Sequence, residues 1–386
     1  MIELKYILFH ILLLFISYIC GRKITLSPIQ QYWKVAIWII IAFIIEEGLR
    51  WGRNIDWCVY YDVYQDYLKG STSNHEILFR SIWKIYAYCN LPYYIVIASC
   101  SGLLIYSFLY FCKPYKETIF ILIPFIIGMC ANNATNLIRW YMSFSFVLIA
   151  TRLYLNRKIK SSILLTLCSI CTHIGMIIII PIFYFIINRK RILFKPLITI
   201  IISLAFIILF DPSILGKLSF IFDLFSGFER FNTYSEDATE WLTGTGQNAD
   251  SIRRSSIEQL IATVPLWTYI ISGYEVCKSK KNIIPIYNLA IIGIFFKNAA
   301  SGLELFGRYS YLFEPFICII AVYGLIYIHK EKKWTSVNIL LYAIGTIFIV
   351  RKFIAFCTPM EYEQLMHYVW DTPINPYELI WLYRIN

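Results

Sequence analysis

Long apolar runs, broken by short polar or turn-forming stretches, account for most of this chain of 386 residues. The runs fall near 4–20, 33–48, 91–112, 118–132, 137–154, 161–172, 174–187, 196–211, 256–276, 283–297, 309–328 and 336–352. Many approach the roughly 20 residues that a helix needs to cross a hydrocarbon core. The pattern predicts an all-α polytopic integral membrane protein with about 12 transmembrane helices, in a range of about 10 to 13. Runs 161–172 and 174–187 are too short for two comfortable crossings, which predicts a re-entrant hairpin or a bent helix there.

The connections test this scheme by their charge. Taking those after the first, third, fifth, seventh, ninth and eleventh runs as cytoplasmic gathers just over half of the 35 basic residues, with very few acids among them. Arg22 and Lys23, Lys113 and Lys116, and Lys330 to Lys333 are examples. The alternation predicts an even number of spans with both termini outside. One transmembrane domain, 1–386, then carries three outward pieces: a loop 49–90, a large loop 212–254 and an interfacial tail 353–386. In the first of these, Ile77, Leu78, Ile82, Ile85 and Tyr86 recur at helical spacing, which predicts an interfacial helix. The first run lacks a basic start and a small-x-small cleavage pattern, so it reads as a retained helix.

Composition agrees with the pattern and excludes other classes. The chain is 59% hydrophobic and 15% charged, and its mean hydropathy is +0.61. A soluble domain of this length would carry far more polar surface. The net charge of +11 lies largely in short loops, where it sets topology, so no nucleic-acid partner is expected. The eleven cysteines mostly sit in apolar runs as small hydrophobes, and Cys168–Cys171 has no second pair. No set of His, Cys and Asp has metal spacing, GxSxG is absent, and the Gly-bearing stretch near 244 lacks the strand and GK[ST] of a phosphate loop. The sequence therefore predicts no cofactor and no metal.

Ionisable groups gather at the outward ends of the runs: Arg50, Arg53 and Asp56; Asn136 and Arg139; His173; Arg230 with Tyr234; and Glu304 with Arg308, Tyr309 and Tyr311. A guanidinium at that depth costs a few kcal/mol unless it faces water or an anion. Arginine also suits bidentate contact with phosphate oxygens. These residues describe a basic, tyrosine-lined outward cavity for an anionic lipid headgroup and its sugars. Each has a structural reading beside the functional one. Arg50 and Arg53 can snorkel at a span end, and Arg139 can satisfy broken helix backbone. His173 can bond a neighbouring helix, and Glu304 with Arg308 can be a helix pair at i,i+4. Asp62 and Asp66 are expected merely to face water.

The order Arg50-x-Gly52-x-x-x-Asp56 with Tyr60, then Glu76, Asn136-x-x-Arg139, His173 and an Arg-Tyr pair at 308 resembles the EpsG family. The resemblance covers roughly residues 30 to 330, and Trp140 departs from it where the family usually shows Gln. It implies a Wzy-like glycosyltransferase of exopolysaccharide, capsule or O-antigen synthesis in the bacterial inner membrane. Such an enzyme joins undecaprenyl-diphosphate-linked repeat units on the outer face. By matching position, Arg50, Arg53, Arg139 and Arg308 are the implied diphosphate ligands. Arg230, Tyr60, Tyr234 and Tyr311 are expected to line the same cavity. Asp56 and His173 are the implied bases, with Glu76 and Glu304 behind them. The implied partners are lipid-linked glycans, membrane lipids and a chain-length regulator protein.

Three rival functions fit less of the pattern. Another lipid-linked glycosyltransferase or an O-antigen ligase shares the outward cavity. A lipid-linked oligosaccharide flippase predicts intramembrane charge on both halves of the bundle. A membrane acyltransferase predicts a catalytic histidine in an early span, where His10 is the sole histidine.

Overall fold

The computed structural model describes residues 2–53, 55–71, 73–210, 255–300, 304–331, 335–358 and 367–371. It divides into two compact units, one of residues 1–184 with 349–386 and the other of residues 185–348.

In the first unit, α1 (Ile2–Leu26) packs on α2 (Tyr32–Phe43) and α6 (Ile119–Asn136). α2 continues into a π turn, Ile44–Gly48, and the chain then forms β1 (Arg50–Trp51). Its antiparallel partner β2 (His367–Tyr368) comes from near the C-terminus, with Arg50 opposite Tyr368 and Trp51 opposite His367. Gly52, at φ +69°, turns the chain out of β1; an L side chain is disfavoured there.

Next come α3 (Ile55–Leu68) and α4 (Ile77–Tyr88), which pack through Trp57, Tyr60, Tyr64, Phe79 and Trp83. Ile77 and Ile85 of α4 remain exposed, while Phe79, Trp83 and Ala87 are buried. α5 (Tyr93–Cys112) and α6 are joined by the turn Lys113–Thr118. Leu137 (φ −91°, ψ 55°) breaks the path between α6 and α7 (Ile138–Leu155). α7 packs on α8 (Ile159–Thr172), where Ser143 Oγ donates to the Ser169 carbonyl at 2.7 Å. α9 (Met176–Ile187) follows after His173–Gly175 and carries the chain across the boundary between the units.

The second unit holds α10 (Pro196–Leu209), α11 (Ser256–Ser279), α12 (Ile284–Ala299), α13 (Glu304–Tyr311), α14 (Glu314–Lys330) and most of α15 (Ser336–Cys357). Ser255 opens α11 with a capping box: it accepts from Glu258 N, and the Glu258 carboxylate accepts from Ser255 N at 2.9 Å. Three helices are tied by a polar chain. Thr263 donates to Asn298 Oδ1 at 2.9 Å, and Ser203 Oγ accepts from both Asn298 Nδ2 and Trp267 Nε1. Burial in an apolar surround makes such a fully bonded chain worth keeping, because a lone polar group would be costly.

The all-α polytopic class expected from the sequence holds, and each apolar run carries a helix. Seven helical stretches among the described residues are long and apolar enough to cross a membrane. One of them, Tyr93–Asn136, spans 44 residues and contains both α5 and α6. Helices α8, α9 and α10 are apolar but shorter, so helix length and hydropathy do not reproduce a count of twelve. The expected bent segment at 161–187 is the pair α8 and α9, interrupted at His173. The loop 212–254 lies outside the described residues. Of the tail 353–386, residues 353–357 finish α15, and residues 367–371 form β2 and the turn after it.

Candidate active site

Four chain breaks of the first unit supply the family-pattern residues. Asp56 lies in the first turn of α3, where an acid suits the positive end of the helix dipole. Asn136 closes α6, and its side-chain Oδ1 accepts from Asp56 N at 3.3 Å. Two residues after the break, Arg139 places Nη1 2.8 Å from Oε2 of Glu76, the residue that precedes α4. The other oxygen of Glu76 accepts from Ile174 N at 3.3 Å, in the break between α8 and α9. One carboxylate thus ties the α6–α7 corner to the α8–α9 corner.

His173 sits in that second break with extended backbone (φ −152°, ψ 111°). Its Nδ1 accepts from Gly175 N at 3.1 Å, which leaves the proton of the neutral ring on Nε2. The Trp140 ring meets the imidazole edge-on at 4.8 Å. Gly175 is held to a small residue, since a Cβ there would lie 3.0 Å from the Trp140 ring and 3.1 Å from His173. Tyr60 is buried beside Phe79, and Arg139 lies over the same Phe79 ring at 5.9 Å. The Arg139 and Glu76 side chains keep 10% and 12% exposure, so this pair can meet a ligand.

A second cluster in the same unit is closed to solvent. His10, Glu46, Glu47, Arg50 and Arg53 are each at most 2% exposed. Arg53 Nη2 contacts Glu47 Oε2 at 2.7 Å, and Nη1 lies 3.6 Å from Glu46 Oε1. His10, stacked on Tyr6 at 3.8 Å, places Nδ1 2.9 Å from Glu46 Oε1 and Nε2 3.7 Å from Glu47 Oε1. Arg50 instead donates to backbone: to the Glu47 carbonyl, and to the Thr135 carbonyl at 2.9 Å. Burial lowers the Arg50 guanidinium to about 10, so it remains a cation at neutral pH. Tyr368 of β2, 1% exposed, lies over Phe9, and Lys5 pairs with Asp371 at 2.6 Å.

Glu47 and Arg50 line a small cleft whose other walls include Phe43, Ile97, Leu104, Ile138 and Tyr141. The clusters share the α6–α7 corner, where Thr135 receives Arg50, Asn136 receives Asp56 and Arg139 holds Glu76. His10, Glu46 and Glu47 each offer a ligand atom within 4.8 Å of the others, so among the described residues they could hold a metal ion.

The structure therefore brings Arg50, Arg53, Asp56, Tyr60, Glu76, Arg139 and His173 into one unit. Arg50 and Arg53 lie beneath the surface, whereas Asp56, Glu76 and His173 are half-buried. Arg308 and Tyr311 are half-buried residues of α13 in the second unit, and Glu304 opens that helix. Arg230 and Tyr234 lie outside the described residues. Asp62 and Asp66 are exposed, as expected.

Sequence reasoning missed Glu46, Glu47 and Tyr368, and weighed His10 only for an acyltransferase. The signal for the two acids is their position inside an apolar run, where carboxylates are rare and need partners. Nothing along the chain pairs residue 10 or residue 368 with them.

Comparison with curated proteins and with solved structures finds no match. The family model does match, over residues 31–370, so the chain belongs to the EpsG family, whose members are Wzy-type polysaccharide polymerases.

Proposed function

We propose that the protein joins undecaprenyl-diphosphate-linked oligosaccharide repeat units on the outer face of the bacterial cytoplasmic membrane. The growing glycan leaves its lipid diphosphate and is transferred to a hydroxyl of the next lipid-linked unit. The bond from the anomeric carbon to the diphosphate oxygen breaks, a glycosidic bond forms, and the hydroxyl proton passes to a base. This chemistry needs cations on the departing oxygens and an acceptor for that proton.

Arg139 is the proposed diphosphate ligand. Its side chain keeps 10% exposure beside Glu76, and a guanidinium can meet phosphate oxygens in bidentate fashion. Glu76 orients Arg139, and its second oxygen fixes the turn that carries His173. With Nδ1 occupied by Gly175 N, His173 offers Nε2–H to the departing oxygen and is not the base in this state. Asp56 is then the proposed base, set beside the corner by the Asn136 contact. Arg50 and Arg53, buried among carbonyls and carboxylates, are proposed to hold the corner and not to touch the diphosphate. The proposed partners are the two lipid-linked glycans, the surrounding lipids and a chain-length regulator.

The observation that carries this reading is convergence: the contacts Asp56–Asn136, Arg139–Glu76 and Glu76–Ile174 link four separate breaks, and the Arg–Glu pair among them is partly exposed. The direct test supplies purified protein in lipid with a synthetic lipid-diphosphate-linked repeat unit. Glycan of two or more repeats, released with free lipid diphosphate, is expected. Movement of the intact substrate across the bilayer without a new glycosidic bond would instead identify a flippase.

A further inference from the structure

The closed cluster holds more buried acceptors than its donors reach. Both carboxylate oxygens of Glu46 and Oε1 of Glu47 are shielded from solvent; Glu46 Oε1 meets His10 Nδ1 at 2.9 Å, while Glu46 Oε2 and Glu47 Oε1 have no such close donor. Arg53 Nη2 bonds Glu47 Oε2 at 2.7 Å, and its Nη1 lies 3.6 Å from Glu46 Oε1. That second separation is too long for a hydrogen bond. His10 enters from α1 on the other side, with Nδ1 2.9 Å from the Tyr6 carbonyl oxygen. With the ring proton there, the lone pair on Nε2 faces Glu47 Oε1 across 3.7 Å. A buried acceptor left bare costs about 1–3 kcal/mol, and a shared cation removes that cost for several at once.

We propose that His10, Glu46 and Glu47 form a divalent-metal site that takes Mn²⁺ or Zn²⁺. One imidazole nitrogen and two carboxylate oxygens within 4.8 Å make a mixed N/O donor set, which suits first-row divalent ions. Ligand atoms 3.7 Å apart subtend about 120° at an ion with bonds of about 2.1 Å, inside the range such ions accept. The π turn Ile44–Gly48 is part of the device, since it interrupts the regular helix where two successive acids must both reach His10.

Three protein ligands leave a coordination position open. Arg53 keeps Glu47 Oε2, so the ion enters without displacing it. Two guanidinium groups already balance two carboxylates, so a divalent ion makes the cluster cationic and draws an anion to its open position. Glu47 and Arg50 also line the small adjoining cleft. The site does not depend on the polymerase reading.

The test uses the full chain in lipid nanodiscs, stripped with chelator and titrated with Mn²⁺ in the absence of any glycan. Electron paramagnetic resonance reads free aqueous Mn²⁺, and pulsed measurement reads nitrogen coupling to the bound ion. One bound Mn²⁺ per chain with coupling to one imidazole nitrogen is expected. H10Q is expected to remove the coupling, E46Q to abolish binding, and D62N, on the exposed face of α3, to change neither. Failure of the wild type to bind Mn²⁺, as a site holding only a proton would show, overturns the proposal. So does a bound ion without nitrogen coupling, a wild-type measurement that stands even where a variant does not fold. Binding that survives both H10Q and E46Q overturns it as well.

Discussion

Arg139 Nη1 and Glu76 Oε2 stand 2.8 Å apart across 63 residues of chain, in a pair that keeps about a tenth of each side chain exposed. Exposure separates this pair from the buried pair Arg53–Glu47, where both side chains are fully shielded. A partly exposed pair can exchange its partner for a substrate oxygen, whereas a closed pair mainly fixes the backbone around it.

Glu76 to Gln keeps the shape and removes the charge. Arg139 then loses its ion pair, and Ile174 N retains an acceptor. The expected outcome is a large fall in polymer yield with nearly normal protein levels, read by glycan yield against immunoblot signal.

Breaking the closed pair should instead damage folding. Glu47 to Ala leaves Arg53 buried without the partner it holds at 2.7 Å. Stranding one member of a buried ion pair costs about 3–5 kcal/mol. A marked drop in thermal stability of the detergent-solubilised protein is expected, with loss of protein from the membrane fraction.

Gly175 to Ala probes the second break. The added Cβ would press on the Trp140 ring at 3.0 Å and on His173 at 3.1 Å. Overpacking of this kind costs about 1–3 kcal/mol, and here the imidazole must shift to relieve it. Activity should fall by a larger factor than melting temperature suggests, measured on one protein preparation.

The family pattern in the sequence named Arg50, Gly52, Asp56, Tyr60, Glu76, Asn136, Arg139, His173 and Arg308, and all of these but Arg308 lie in one unit. Long apolar runs placed the helices, because a span must stay apolar over most of its length. What they could not show was partnership. Glu76 and Ile174 are 98 residues apart, and no spacing rule connects them. The π turn that positions Glu46 and Glu47 has no sequence signature, and two-residue strands such as β1 and β2 leave no alternation to read. His10 looked like one more residue of an apolar helix. Its meaning depends on what α2 brings alongside.

The strap formed by β2 should loosen in acid. Burial by itself would raise the Asp371 carboxyl, but the hydrogen bonds from Lys5 and from Tyr368 N, with the Lys5 charge, hold it below its usual value of 3.8. A depressed carboxyl contributes stability that is present above its unfolded pKa and is lost as pH falls through the folded one. The contact should therefore be intact at neutral pH and released only below about pH 4, consistent with an ordinary unfolded Asp near 3.9. Lys5 to Ala should weaken that dependence, since the bond from Tyr368 N remains. Cross-linking between cysteines introduced at the strap and at α1, followed against pH, reads both outcomes.

The most direct test of the central claim is the length of the surface glycan made by a native producer carrying Arg139 to Ala. The account predicts that the chain-length ladder collapses to single repeat units while the protein stays at its normal level in the membrane. An unchanged ladder at that protein level would contradict it.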